Sequence, residues 1–126
     1  MDKKRANAKY SDGKKNVEVN VSIFLWDEDS VFYVYSPALD ITGYGLNKEE
    51  ARESFETTLH EFILYTQNKK TIFKELENLG WAVNKRKKRV ISPEFEDMLS
   101  ENEHFKHLYK SKDLVRDSSN VNLELE

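Results

Sequence analysis

Apolar and polar positions alternate most clearly between Val17 and Trp26. Val17, Val19, Val21, Ile23 and Leu25 fall on one parity, and Glu18, Asn20, Ser22, Phe24 and Trp26 on the other. A period of two over such a length predicts a β-strand with one face buried. Its far end carries aromatics on the second face as well, so part of that face is expected to be covered. Asp27 to Ser30 (DEDS) is a compact polar turn, and Val31 to Tyr35 (VFYVY) is β-branched and aromatic throughout. The short acidic link predicts an antiparallel hairpin.

Pro37 ends regular pairing because it has no amide hydrogen to donate. Ile41 to Leu46 reads as a short third strand, with Gly43 and Gly45 on one face where another backbone can approach closely. Asn47 is a suitable N-cap with Glu50 three residues on, in an arrangement like a capping box. Ala51, Phe55, Leu59, Phe62, Ile63 and Thr66 then follow helical spacing. Gln67 to Lys70 is a polar joint. The stripe resumes at Ile72, Phe73, Leu76 and Leu79 and stops at Gly80, the natural C′ residue. Either one long helix with a weak joint or two helices fits, and two are favoured. Trp81 to Val83 and Val90-Ile91 look like strand segments around Lys85 to Arg89. Pro93 begins a last apolar stripe of Phe95, Met98, Leu99, Phe105, Leu108 and Tyr109.

The expected fold class is therefore α+β. A three-stranded antiparallel sheet is followed by one helix or two, a further strand and a C-terminal helix. Residues 1–15 are expected to be a flexible N-terminal segment and 16–92 the α+β domain. Residues 93–110 should form an acidic amphipathic helix and 111–126 a disordered tail. The final Leu-Glu pair resembles a vector-derived end and is set aside.

Composition narrows the chemistry. The 126 residues suit one domain with a modest core, and the absence of cysteine excludes disulfides and thiolate zinc sites. No secretory signal and no apolar run of membrane-spanning length occurs, so a cytoplasmic protein with no membrane partner is expected. Net charge is −3 but uneven. Residues 1–90 hold 16 Lys/Arg against 14 Asp/Glu, and residues 91–126 hold 4 against 9. The acidic last third and the basic run Lys85, Arg86, Lys87, Lys88 and Arg89 are thus able to pair, within one chain or between chains.

Candidate sites are few. His104 and His107 are spaced for a metal pair, but no third ligand stands at a firm spacing, and surface histidines are the simpler reading. His60 is read as a solvated or hydrogen-bonded helical histidine. Asp27, Glu28 and Asp29 suit a solvated hairpin turn better than a cation loop. No nucleophile elbow, phosphate loop or dinucleotide motif is present. A magnesium nuclease would need clustered strand carboxylates, and only Glu18 and Asp40 stand in strand regions away from the turn. No catalytic residue, metal or cofactor is expected. Phe24 and Trp26 are candidate protein-binding anchors, with ordinary core as the alternative. The run from Lys85 to Arg89 is a candidate phosphate grip with Trp81 as a stacking surface; its alternative is a lysine-guarded turn or edge.

The order strand, strand, Tyr35, Pro37, Leu39, Gly43, Gly45, Asn47, Glu49, Glu50, Ala51 resembles the HicB-like antitoxin domain over about residues 17 to 83. The resemblance implies a partial ribonuclease H-like sheet carrying helices on one face, with a further strand added after the helix. It implies no catalytic set. Such domains mask a small HicA-type toxin ribonuclease and commonly form dimers or larger homo-oligomers. Many members add a C-terminal helix-turn-helix or ribbon-helix-helix module for DNA, whereas residues 93–110 here supply one acidic helix.

Overall fold

A computed structural model describes residues 8–11 and 14–125, of which 8–11 and 14 are described in backbone only. The chain is α+β, as its periodicities predict. One antiparallel sheet of five strands dominates. The long strand β2 (Lys14–Glu28) is its spine. At its far end β2 pairs with β3 (Val31–Ser36), which in turn pairs with β4 (Ile41–Gly45). The β2–β3 hairpin turns through Asp29 and Ser30, both at positive φ, the geometry of a type I′ turn whose twist matches its strands. At the near end β1 (Ala8–Ser11) pairs with β2 on the same edge as β3. The opposite edge of β2 is occupied by β7 (Val115–Leu125), in register from Lys15↔Leu125 to Leu25↔Val115.

The expected three strands are thus the middle and one side of a wider sheet. Two flanking segments expected to be flexible or disordered contribute strands to it. Within residues 1–15, Ala8–Ser11 and Lys14-Lys15 lie in strands; the rest of that segment lies outside the described residues. Residues 111–126, expected to be a disordered tail, instead supply β7. Its average composition is polar because one face is solvated. Val121, Leu123 and Leu125 alternate on the other face and are almost wholly buried. Leu125 belongs to the Leu-Glu pair set aside from the fold, yet it is a core residue.

Helix α1 (Lys48–Lys69) lies across the sheet on the face that carries the odd-numbered valines of β2. Asn47 caps it: the Glu50 amide donates to Asn47 Oδ1 at 2.8 Å. Glu50 Oε1 accepts from the Leu46 amide at 3.0 Å, so the return bond of the capping pair reaches one residue further back than the usual box. Gly43 and Gly45 explain why the helix sits so low. A Cβ on Gly43 would stand 2.2 Å from the Phe55 amide nitrogen and 2.5 Å from the Ala51 carbonyl oxygen. Both contacts are backbone, so only glycine permits this approach. Lys70, in the left-handed region at φ 56°, ends α1, and α2 (Ile72–Asn78) follows as a second helix. Gly80 at φ 94° closes α2.

Beyond α2 the chain departs from the simplest expectation. The further strand does not join the main sheet. Instead β5 (Ala82–Asn84) and β6 (Arg89–Ile91) form a separate two-stranded hairpin. The C-terminal helix is also divided, into α3 (Phe95–Glu101) and α4 (Glu103–Ser111). Asn102 makes the break, because its Oδ1 accepts from the Phe105 amide and starts a new helix. This pair covers part of the sheet face opposite α1, packing Phe95 and Phe105 on Phe24. Among the described residues no helix is long and apolar enough to cross a membrane.

Candidate protein-docking face and basic hairpin

Strand parity places two aromatic rows on the sheet face opposite α1. The first contains Phe24 and Tyr35, which are cross-strand partners. Both are buried, and α3–α4 roofs them. Phe24 is 2% exposed, its ring centroid 4.9 Å from that of Phe105 and 6.3 Å from that of Phe95. Phe24 is therefore core and not a docking anchor. The aromatics that bury it come from residues 93–110, more than sixty positions away in the sequence, so strand parity, which predicts some cover on this face, does not identify the segment that supplies it. Arg116 on β7 closes the side of this cluster, its guanidinium 5.7 Å from the Phe24 centroid and 4.9 Å from that of Phe95.

Tyr35 anchors the roof chemically. Its hydroxyl donates to Asp40 Oδ1 at 2.9 Å and accepts from Asn102 Nδ2 at 3.0 Å. The ring of His104 meets it edge-on at 5.1 Å. Burial, countered in part by the Asn102 bond, pushes the phenol well above its ordinary pKa, and the Asp40 carboxylate adds to that rise. The network joins β3, the β3–β4 turn and the α3–α4 junction.

The second row stays outside the roof. Trp26, Tyr33 and Tyr44 are consecutive partners across β2, β3 and β4. Trp26 and Tyr33 stack with centroids 5.1 Å apart and planes at 13°. Both are half-buried, and Tyr44 is 65% exposed. Tyr33 and Tyr44 were not singled out in the sequence; the register of β3 and β4 identifies them. The neighbouring β4 edge is partly closed. The Tyr44 amide donates to Ser54 Oγ at 3.1 Å and the Leu46 amide to Glu50 Oε1, so α1 side chains take hydrogen bonds that an added strand would need.

The run Lys85 to Arg89 occupies the tip of the β5–β6 hairpin. Asn84 Oδ1 accepts from the Lys87 amide at 3.0 Å, and Lys88 takes a left-handed conformation at φ 52°. Lys85, Arg86, Lys87 and Arg89 are exposed, and none of them belongs to an ion pair among the described residues. Trp81 stands at the root and is 4% exposed, with its indole N–H donating to the Ala38 carbonyl at 2.7 Å. It is an anchor and offers no stacking surface.

The other candidates separate. His60, His104 and His107 are exposed. Asp27, Glu28 and Asp29 line a solvated turn, where Glu28 pairs with Lys112 at 2.9 Å. Glu18 lies opposite Asn122 in the β2–β7 ladder, while Asp40 in the β3–β4 turn is engaged by Tyr35. A cleft between the α2 end and α3–α4 is lined by Asp40, Glu77, Asp97, Glu101 and Glu103. Among the described residues no group of three His, Asp or Glu side chains is placed to hold a metal.

No family model, no curated protein and no solved structure matches this chain.

Proposed function

We propose that this chain is a non-catalytic protein-binding module of the HicB-antitoxin type, acting in the cytoplasm. Its Trp26–Tyr33–Tyr44 face docks a small ribonuclease of the HicA toxin type. The observation that carries the reading is this aromatic row, left outside the α3–α4 roof while the row beside it is buried. Tyr and Trp present large, rigid, amphipathic area and dominate binding energy at interfaces. A partner that covers them gains apolar burial without disturbing the core. The partner meets the face and not the β4 edge, since Ser54 and Glu50 already engage edge amides.

Support for the HicB-type kinship comes from the corner that suggested it. Gly43 and Gly45 seat the helix on the strand, and Asn47 caps that helix. Those are the positions by which the sequence resembles the family.

Affinity capture from the source cell with the wild-type chain and with Tyr44→Ala, read by mass spectrometry, tests the proposal. A small ribonuclease should co-purify with the wild type, and its recovery should fall at least tenfold with Tyr44→Ala, the loss of about 1.4 kcal/mol or more that an interface aromatic supplies. Equal recovery with both chains would refute the docking face. Recovery of the chain alone, as a dimer by light scattering that Tyr44→Ala dissociates, would reassign the face to self-association.

A further inference from the structure

The basic hairpin lies outside the docking reading and has its own logic. Five consecutive cations in a chain of net charge −3 are concentrated on one four-residue turn and the first residue of β6. The arm is rigidly mounted. Trp81 is buried and bonded to Ala38 at its root, Val83 and Val90 pack against the core, and Asn84 fixes the turn. The cleft at that root is lined by acids from α2, α3 and α4. A polyanion is therefore repelled from the root and attracted to the tip.

We propose that the β5–β6 hairpin is a phosphate-gripping arm for double-stranded DNA, binding without sequence preference. Two features select the duplex. A single strand is held largely by bases stacking on aromatic side chains, and the aromatic nearest the run in the sequence, Trp81, is buried. A two-stranded ribbon, its strands about 4.8 Å apart, fits the major groove of B-DNA, about 12 Å wide. The deep, narrow major groove of A-form RNA does not admit it. Lys85, Arg86, Lys87 and Arg89 then reach phosphates on the groove walls, and such contacts position the protein without reading bases.

Fluorescence anisotropy on a labelled duplex of arbitrary sequence, over a potassium chloride series, tests this. For four phosphate contacts the wild type should show log Kobs falling against log salt with a slope of about −3.6. Joint replacement of Lys85→Ser, Arg86→Ser, Lys87→Ser and Arg89→Ser should weaken low-salt binding about a hundredfold or more and bring the slope close to zero. The charge-keeping pair Lys85→Arg and Lys87→Arg should bind as the wild type does, which separates charge from fold. Absence of salt-dependent binding by the wild type, an unchanged slope in the serine variant, or equal binding of duplex RNA would each overturn the proposal. So would a dimer of the free chain that the serine variant dissolves while no DNA is bound, since the tip would then be pairing with the acids of a second copy.

Discussion

Single residues set the helix-to-sheet distance and hold the roof. Gly43 lies where any side chain would collide with the backbone of α1, and backbone cannot rotate aside. Gly43→Ala must lift or shift the helix, and overpacking of this kind costs about 3 kcal/mol or more; the urea unfolding midpoint should fall accordingly. Tyr35 makes a different prediction. Its phenol is 1% exposed and its pKa is raised in the folded chain. Below the ordinary phenol pKa both states hold the proton and nothing is lost. Once the pH rises above about 10, the unfolded chain releases that proton and the folded chain keeps it, so stability falls by up to about 1.4 kcal/mol per pH unit. Urea midpoints measured from pH 8 upward should show this decline in the wild type, with a shallower decline in Tyr35→Phe.

At the scale of elements, legibility in the sequence followed the strength of local pattern. The β2 alternation, the β2–β3 turn, the Asn47 cap and the Gly80 stop each follow from adjacent residues, and each is found in the fold. What was missed depends on remote partners. β7 reads as polar tail because Ser118, Asn120 and Asn122 face solvent, and the alternation of Val121, Leu123 and Leu125 is confined to its last five residues, too short to outweigh the polar stretch before it. Phe24 can be read as an anchor or as core, and the choice is made only when Phe95 and Phe105 are brought over it. Tyr33 and Tyr44 gain meaning only through the registers that join them to Trp26. The β7 assignment is directly testable. Leu123 is 0% exposed, so Leu123→Ala should cost about 2–5 kcal/mol. Asn120, which accepts a 2.9 Å hydrogen bond from Asn20 on the solvated face, should lose no more than about 1 kcal/mol on replacement by alanine. Chemical unfolding of both variants distinguishes a strand from a tail.

Across the whole molecule, the sheet is a partition. One face is covered by α1, the other is covered in part by α3–α4, and the aromatic row lies outside that cover. Ties between α1 and β7 brace the arrangement: Arg52 pairs with Asp117 at 2.7 Å, and Gln67 donates to Glu124. The Ser118 amide and then the Arg52 guanidinium hold the Asp117 carboxyl below its ordinary pKa. The basic tip belongs to the second, smaller sheet. Tyr44→Ala and the tip substitutions touch separate surfaces, so their effects on protein capture and on DNA binding should be independent, and the combined variant should show both losses without interaction.

The β2–β7 ladder also governs the order of events during synthesis. Asn20 and Asn120, partners in the ladder, lie 100 residues apart along the chain. Once the Val17–Val21 segment has left the ribosome, and until residues 115–125 follow it, nothing shields it on that side. Closing so large a loop is slow compared with forming a helix or a hairpin. In the interval the waiting strand is a template for any extended segment nearby. Ribosome-bound intermediates arrested before residue 115 should therefore be the aggregation-prone and chaperone-dependent species in the life of this protein.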